Sequence, residues 1–237
     1  MSEFDRFALS YKEVLDQDLT ISGETSEYFA EYKARFMVRE AVGPGFSGKV
    51  LDYGCGVGLL SEILNKHLPA CTLHGFDVSS ESIGKIGAGL RARGLFTSKD
   101  EDLDDDYDAI IVSNVMHHIR PEDRQATICR LRSRLAQAGK LVLFEHNPLN
   151  PCTRWVVRHS PLDKEAILLP QREALAYLRD AGLRVARRAY IVFFPRPLAW
   201  LRALEPWLAW LPAGAQYALV AEGGPHDGDG LGGPRHS

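Results

Sequence analysis

The sequence predicts an α/β fold, a doubly wound parallel sheet covered on both faces by helices. Three observations carry this. Short apolar runs such as "KVLDY" and "KLVLFEHNP" suit buried strands and are too short for buried helices. Segments with apolar residues at helical spacing alternate with them along the chain. The stretch "VLDYGCGVG", residues 50–58, sets three alternating glycines where the first strand meets the next helix. That is the position at which such sheets bind ligands.

The elements follow in order. Residues 1–42 read as a helical N-terminal cap, with Phe29, Tyr32, Phe36 and Met37 at helical spacing. "GPGFSG" breaks the chain and opens a core spanning residues 43–222. "KVLDY" is the first strand and "LLSEILNKHL" a helix with one apolar face. "CTLHGFDVS" is the second strand, and "SESIGKIGAGLRARG" a helix weakened by its glycines. "DDDYDAIIVSNVMHHI" contains a fully apolar strand at residues 109–112. "PEDRQATICRLRSRLAQAG" opens with proline and acids and closes with glycine, which predicts a helix. "KLVLFEHNP" is a strand and "QREALAYLRDAG" a helix. "LRVARRAYIVFF" and "AQYALVAE" close the sheet around a hydrophobic insertion at residues 195–212, which suggests an antiparallel ending. Residues 223–237 are rich in glycine and proline and are expected to be disordered.

Composition narrows the function. At 45% hydrophobic the chain can bury a core, and its net charge of -3, with no dense Lys/Arg cluster, speaks against nucleic acid as a partner. Cys55, Cys71, Cys129 and Cys152 form neither a C-x-x-C pair nor a zinc-ligand spacing, so they read as reduced cysteines of a cytoplasmic protein. The N-terminus lacks a secretory h-region, and no apolar run approaches the ~20 residues of a spanning helix.

The glycine loop has two candidate ligands, a dinucleotide and S-adenosylmethionine. The dinucleotide fingerprint G-x-G-x-x-G fails from either start, because Leu59 or Ser61 stands where the third glycine belongs. Asp52, at the strand end, would repel a pyrophosphate and attract an ammonium and a sulfonium. Asp77 ends the next strand, where an acid accepts hydrogen bonds from ribose hydroxyls. Its alternative is to cap the following helix, a role Ser79 and Ser80 can equally fill.

With "VLDYGCGVG", "LHGFDVS", "YDAIIVSNVMHHI" and "AGKLVLFEHNP" in this order, the chain resembles the class I S-adenosylmethionine-dependent methyltransferases. The resemblance implies a Rossmann-like seven-stranded sheet, order 3-2-1-4-5-7-6, with the last strand antiparallel. It also implies that Gly54, Gly56 and Gly58 let the backbone meet the methionine portion, with Asp52 near its amino group. Asp77 would hold the ribose, Val78 would line the adenine, and Asn114 and Val115 would pass the cofactor as backbone. In the acidic run "TSKDEDLDDDYD", Asp100 is the candidate for gripping the adenine.

Methyl transfer from a sulfonium needs an acceptor atom held in line and water excluded, with a base only where the acceptor sheds a proton. His146, in the proline-fixed loop "EHNPLNP", is the candidate base, with His117 and His118 the other candidates. Each of the three has a structural alternative, and no supporting carboxylate set is evident for a metal. Tyr28 and Tyr32 are candidate substrate-side aromatics, alternatively an aromatic stripe that packs the helix down. Arg154 and Arg158 suit a phosphate or carboxylate on the substrate, or else belong to a solvated helix face.

The insertion carries three of the four tryptophans. A substrate-side cap is the preferred use; a dimer contact and a transient membrane-surface contact through residues 198–211 are the others. The expected activity is methyl transfer to oxygen or nitrogen of a small-molecule, glycan or lipid-conjugate acceptor in a biosynthetic pathway, by a monomer or homodimer. The rivals are a non-catalytic binding domain and a nicotinamide-dependent oxidoreductase.

Overall fold

Apolar residues fill consecutive strand positions here because the central strands are covered on both sides. The computed structural model describes residues 23–223, so residues 1–22 of the expected cap and the expected tail beyond residue 223 lie outside the described residues. The chain runs α1 (Ser26–Met37), β1 (Lys49–Tyr53), α2 (Leu59–His67), β2 (Thr72–Phe76), α3 (Ser80–Lys85), α4 (Ala88–Arg91) and β3 (Phe96–Thr97). It continues through β4 (Tyr107–Ser113), α5 (Pro121–Ser133), β5 (Leu135–His146), α6 (Pro151–His159), α7 (Gln171–Asp180), β6 (Leu183–Ile191), α8 (Glu205–Leu208) and β7 (Gln216–Gly223).

The seven strands form one sheet in the order β3-β2-β1-β4-β5-β7-β6. Pairing is parallel from β3 to β5, and β7 runs antiparallel to both β5 and β6. This is the doubly wound architecture with the antiparallel strand that the sequence implied.

Side chains alternate between the two faces with the period of two that a strand imposes. Val50, Ala109, Ile111, Val142 and Phe144 pack with Ala34, Met37, Ile63 and Leu64 of α1 and α2. Leu51, Ile110, Val112, Leu141 and Leu143 pack on the other side with Ile128 and Leu131 of α5 and Leu178 of α7. Each of the larger side chains (Val, Leu, Ile, Met, Phe), fully buried, contributes about 1.5–3 kcal/mol.

Four expectations about elements are corrected. The glycine-rich helix divides into α3 and α4, with Gly87 extended between them. The helix expected through Gly139 stops at Ser133, and the chain enters β5 at Leu135, opposite Tyr107. A side chain at residue 139 would strike the Tyr107 carbonyl, so that glycine serves strand contact and not a helix end. β6 ends at Ile191, because Val192 takes a left-handed φ of 60°. The Phe193 and Phe194 amides beyond it donate to Glu205 at 3.1 and 3.3 Å.

The fourth correction concerns the insertion. It forms 3₁₀ turns over Arg196–Leu204 and then the short α8, with Trp200, Trp207 and Trp210 72–75% exposed. Its polar residues brace α1: Arg202 donates to Glu24 at 2.6 Å and lies over the Tyr28 ring at 4.4 Å. Among the described residues, no helix is long and apolar enough to cross a membrane.

Candidate functional site

The carboxyl ends of β1, β2, β4 and β5 open on one cavity of about 340 Å³. The loop leaving β1 enters it through left-handed glycines, with φ of 82° at Gly54, 53° at Gly56 and 86° at Gly58. L-residues avoid that region. Space is restrictive too: a Cβ at Gly54 would run into the Val115 side chain, and one at Gly58 would press on Ile86 at 3.2 Å. The Gly54 and Cys55 amides donate to the Phe76 carbonyl at 2.7 and 2.9 Å, tying the loop to the end of β2.

Asp77 completes that tie. Its carboxylate accepts from the Gly56 amide at 2.8 Å and from the Ser79 amide at 2.9 Å. The cap of α3 is Ser79, whose hydroxyl accepts from the Ser82 amide at 3.1 Å. Asp77 is thereby placed between the glycine loop and the cavity, with Val78 beside it.

Two opposite charges are buried nearby. Asp52 accepts from the Ser61 hydroxyl at 2.6 Å. Burial pushes its carboxyl up to about 6; Asp77 adds to this, while Ser61 and Lys33 oppose it. Lys33 enters from α1 and donates to the Ser113 hydroxyl at 2.8 Å. Burial brings its amine down to about 8, against the pull of Glu145 and Asp52. Asn114, with a left-handed φ of 56°, and Gln216, the first residue of β7, also line the cavity. Asn114 Oδ1 and Gln216 Oε1 are buried and have no hydrogen-bond partner among the described residues.

The β4 and β5 ends bring histidines and carboxylates together. Glu145 accepts from the Val115 and Met116 amides at 3.0 and 2.7 Å through one oxygen and faces His117 Nδ1 at 2.6 Å with the other. His117 Nε2 lies 3.4 Å from Asp163 Oδ1, and His118 Nε2 lies 3.4 Å from the same oxygen. Burial disfavours charge on His117, but Glu145 and Asp163 outweigh it and raise the ring to about 9. His118 and His146 are pushed down to about 4 by burial and by charged His117. Both are therefore neutral at pH 7. The His146 ring stands 5.0 Å from that of His117.

Asp52, Gly54, Gly56, Asp77, Val78, Asn114, Val115, His117, His118 and His146 all line the cavity. Gly58 shapes the loop without lining it. The other predicted residues are placed elsewhere. Asp100 pairs with Arg134 at 2.9 Å. Tyr28 stacks on Arg202, and Tyr32, its hydroxyl raised by burial and by Glu205, packs toward α8. Arg154 and Arg158 sit exposed on α6. The insertion, expected as a cap, contributes no residue to the lining.

Helical geometry explains the tyrosines: Ser26, Phe29, Ala30 and Lys33, spaced i, i+3, i+4, i+7, take the cavity face of α1. Tyr28 and Tyr32 occupy the adjacent stripe. That period could have singled out Lys33. Asp163 and Gln216 carry no local signal in the sequence.

A family model described as a methyltransferase domain matches residues 26–217. The chain belongs to the methyltransferase-domain family. Its fold is close to that of a SAM-dependent methyltransferase from Archaeoglobus fulgidus, with a TM-score of 0.64 at 16% identity over 84% of this chain and 95% of that one. It is also similar to the magnesium protoporphyrin IX methyltransferase of Synechocystis PCC 6803, solved with bound SAH, at a TM-score of 0.61 and 20% identity over 88% and 86% of the two chains. Among curated proteins, a ribosomal RNA small subunit methyltransferase C of Vibrio vulnificus is 39% identical over 80 residues, 32% of this chain. That match spans 23% of the relative's own length.

Proposed function

We propose that the protein transfers the methyl group of S-adenosylmethionine to an oxygen or nitrogen of a small-molecule, glycan or lipid-conjugate acceptor in a cytoplasmic biosynthetic pathway. The observation that carries this is the division of one cavity. Its β1–β2 side offers the glycine loop and acids for a cationic ligand; its β4–β5 side offers neutral imidazoles.

The residues present fit the cofactor. Asn114 Oδ1 is a buried acceptor that lacks a donor, and the cofactor's ammonium is a donor. Asp52 adds charge for that ammonium, and Lys33 offers an amine to the methionine carboxylate. Asp77, which lines the cavity beside the glycine loop, presents a carboxylate that can accept from ribose hydroxyls. Val78 lies beside it for the adenine. Bound there, the cofactor supplies an electrophilic methyl group on a sulfonium.

An oxygen acceptor suits the opposite side best. Neutral His146 can take the hydroxyl proton, and it pairs across the sheet with Gln216, whose unpartnered Oε1 can accept from a second donor group of the acceptor. His117, held between two carboxylates, is a positioning residue. RNA is the second reading, favoured by the segment shared with ribosomal RNA methyltransferases; the net charge of -3 counts against it.

The test supplies methyl-labelled cofactor with hydroxylated aromatics, sugar nucleotides, lipid extracts and ribosomal RNA. Label should enter a small-molecule or lipid fraction, and His146→Gln should slow it by about 10²–10⁴-fold. Label in RNA alone would refute this acceptor class.

A further inference from the structure

The geometry points to a divalent metal site: we propose that His117, His118 and Asp163 bind a transition-metal cation, zinc or a neighbour of it, at the acceptor side of the cavity. Binding of the cation stands on these residues alone, and its use in catalysis rests on the methyl-transfer reading.

The three ligating atoms lie within 4.8 Å of one another. His117 Nε2 and His118 Nε2 each stand 3.4 Å from a single Asp163 oxygen. That lies at the long end of the hydrogen-bonding range. It matches the ~3.4 Å between neighbouring ligands placed about 2.1 Å from a tetrahedral ion. One carboxylate oxygen therefore has two imidazoles aimed at it from adjacent residues, at a spacing a shared cation explains.

The surroundings resemble those of a metal ligand. His117 Nδ1 faces buried Glu145 at 2.6 Å, the carboxylate–histidine arrangement that turns the opposite ring nitrogen toward a metal. Glu145 is itself fixed by the Val115 and Met116 amides. The Asp163 loop is tied to the same turn, since the Ile167 amide donates to the His117 carbonyl at 2.8 Å. Two imidazoles and a carboxylate form a nitrogen–oxygen donor set suited to zinc, manganese, iron or cobalt.

All three residues line the cavity, so three protein ligands leave an open coordination position facing it, as catalytic sites do. An acceptor hydroxyl in that position would be polarised by the cation, with the His146 ring 5.0 Å from that of His117. The site thus favours a hydroxyl acceptor over an amine.

The rival arrangement is an imidazolium at His117 shared by Glu145 and Asp163 without a cation. Titration of the full, tag-free chain with Co²⁺, followed by visible absorption, separates the two. The expected result is a saturable spectrum at one equivalent, with Asp163→Asn and His118→Gln each weakening binding at least tenfold. Both side chains are partly exposed, and a cooperative melt of each variant checks its fold. No saturable spectrum, or one that neither substitution weakens, would overturn the site. Binding of S-adenosylmethionine by the same wild-type sample reports separately on the methyl-transfer reading.

Discussion

Asp52 is held in the wrong environment for its own charge, and removing that charge should stabilise the cofactor-free protein. Its carboxyl titrates near 6 where an unburied aspartate titrates at 3.8. Keeping it ionised at neutral pH therefore costs about 3 kcal/mol. Asp52→Asn removes that cost, while the amide can still accept from Ser61. The new buried N–H groups cost about 1–2 kcal/mol if unpaired, which leaves a net gain of about 1–2 kcal/mol.

The sign with pH follows from the raised value. Below 3.8 both folded and unfolded wild type carry the proton. Between 3.8 and about 6 the unfolded state gives up the proton that the folded state keeps, so wild-type stability declines across that window and levels off above it. The asparagine variant has no such decline. Its melting temperature should exceed wild type by about 5 °C at pH 7.5, and the gap should close near pH 5. The same variant should bind S-adenosylmethionine at least tenfold more weakly, about 1.4 kcal/mol. A variant less stable than wild type at every pH, with a constant gap, would refute the reasoning and make Asp52 a packing residue.

Two further predictions concern the scaffold. Gly54→Ala combines a left-handed φ with a collision against Val115, so it should lower stability by about 1–3 kcal/mol in a denaturant melt and abolish cofactor binding in a calorimetric titration. Glu205→Ala leaves the Phe193 and Phe194 amides without their acceptor; it should cost about 1–3 kcal/mol and speed proteolytic cutting near α1, with cleavage sites read by mass spectrometry.

The order of strands and the cofactor side were legible because each has a local cause. Glycines mark positive φ, apolar runs mark strands buried on both faces, and an acid at a strand end marks a polar rim. The boundaries set by tertiary contact were not legible. β5 begins at Leu135 because its pairing with Tyr107 outweighs the helical pattern that continues to Gly139. Tyr28 and Tyr32 stand out in the sequence as aromatics, while their helix turns Ser26, Phe29, Ala30 and Lys33 into the cavity. Asp163 meets His118 only because the loop after α6 is tied to the turn that follows β4, and Gln216 meets His146 only through the antiparallel register of β5 and β7. Such juxtapositions are long-range and leave no spacing to read.

The measurement that bears most directly on the central claim is isothermal titration with S-adenosylmethionine and S-adenosylhomocysteine, on wild type and Asp77→Ala. Micromolar binding of both ligands, weakened at least tenfold by the substitution, is the predicted result. A wild-type protein that melts cooperatively and binds neither ligand would contradict it, and the glycine loop would then serve some other ligand.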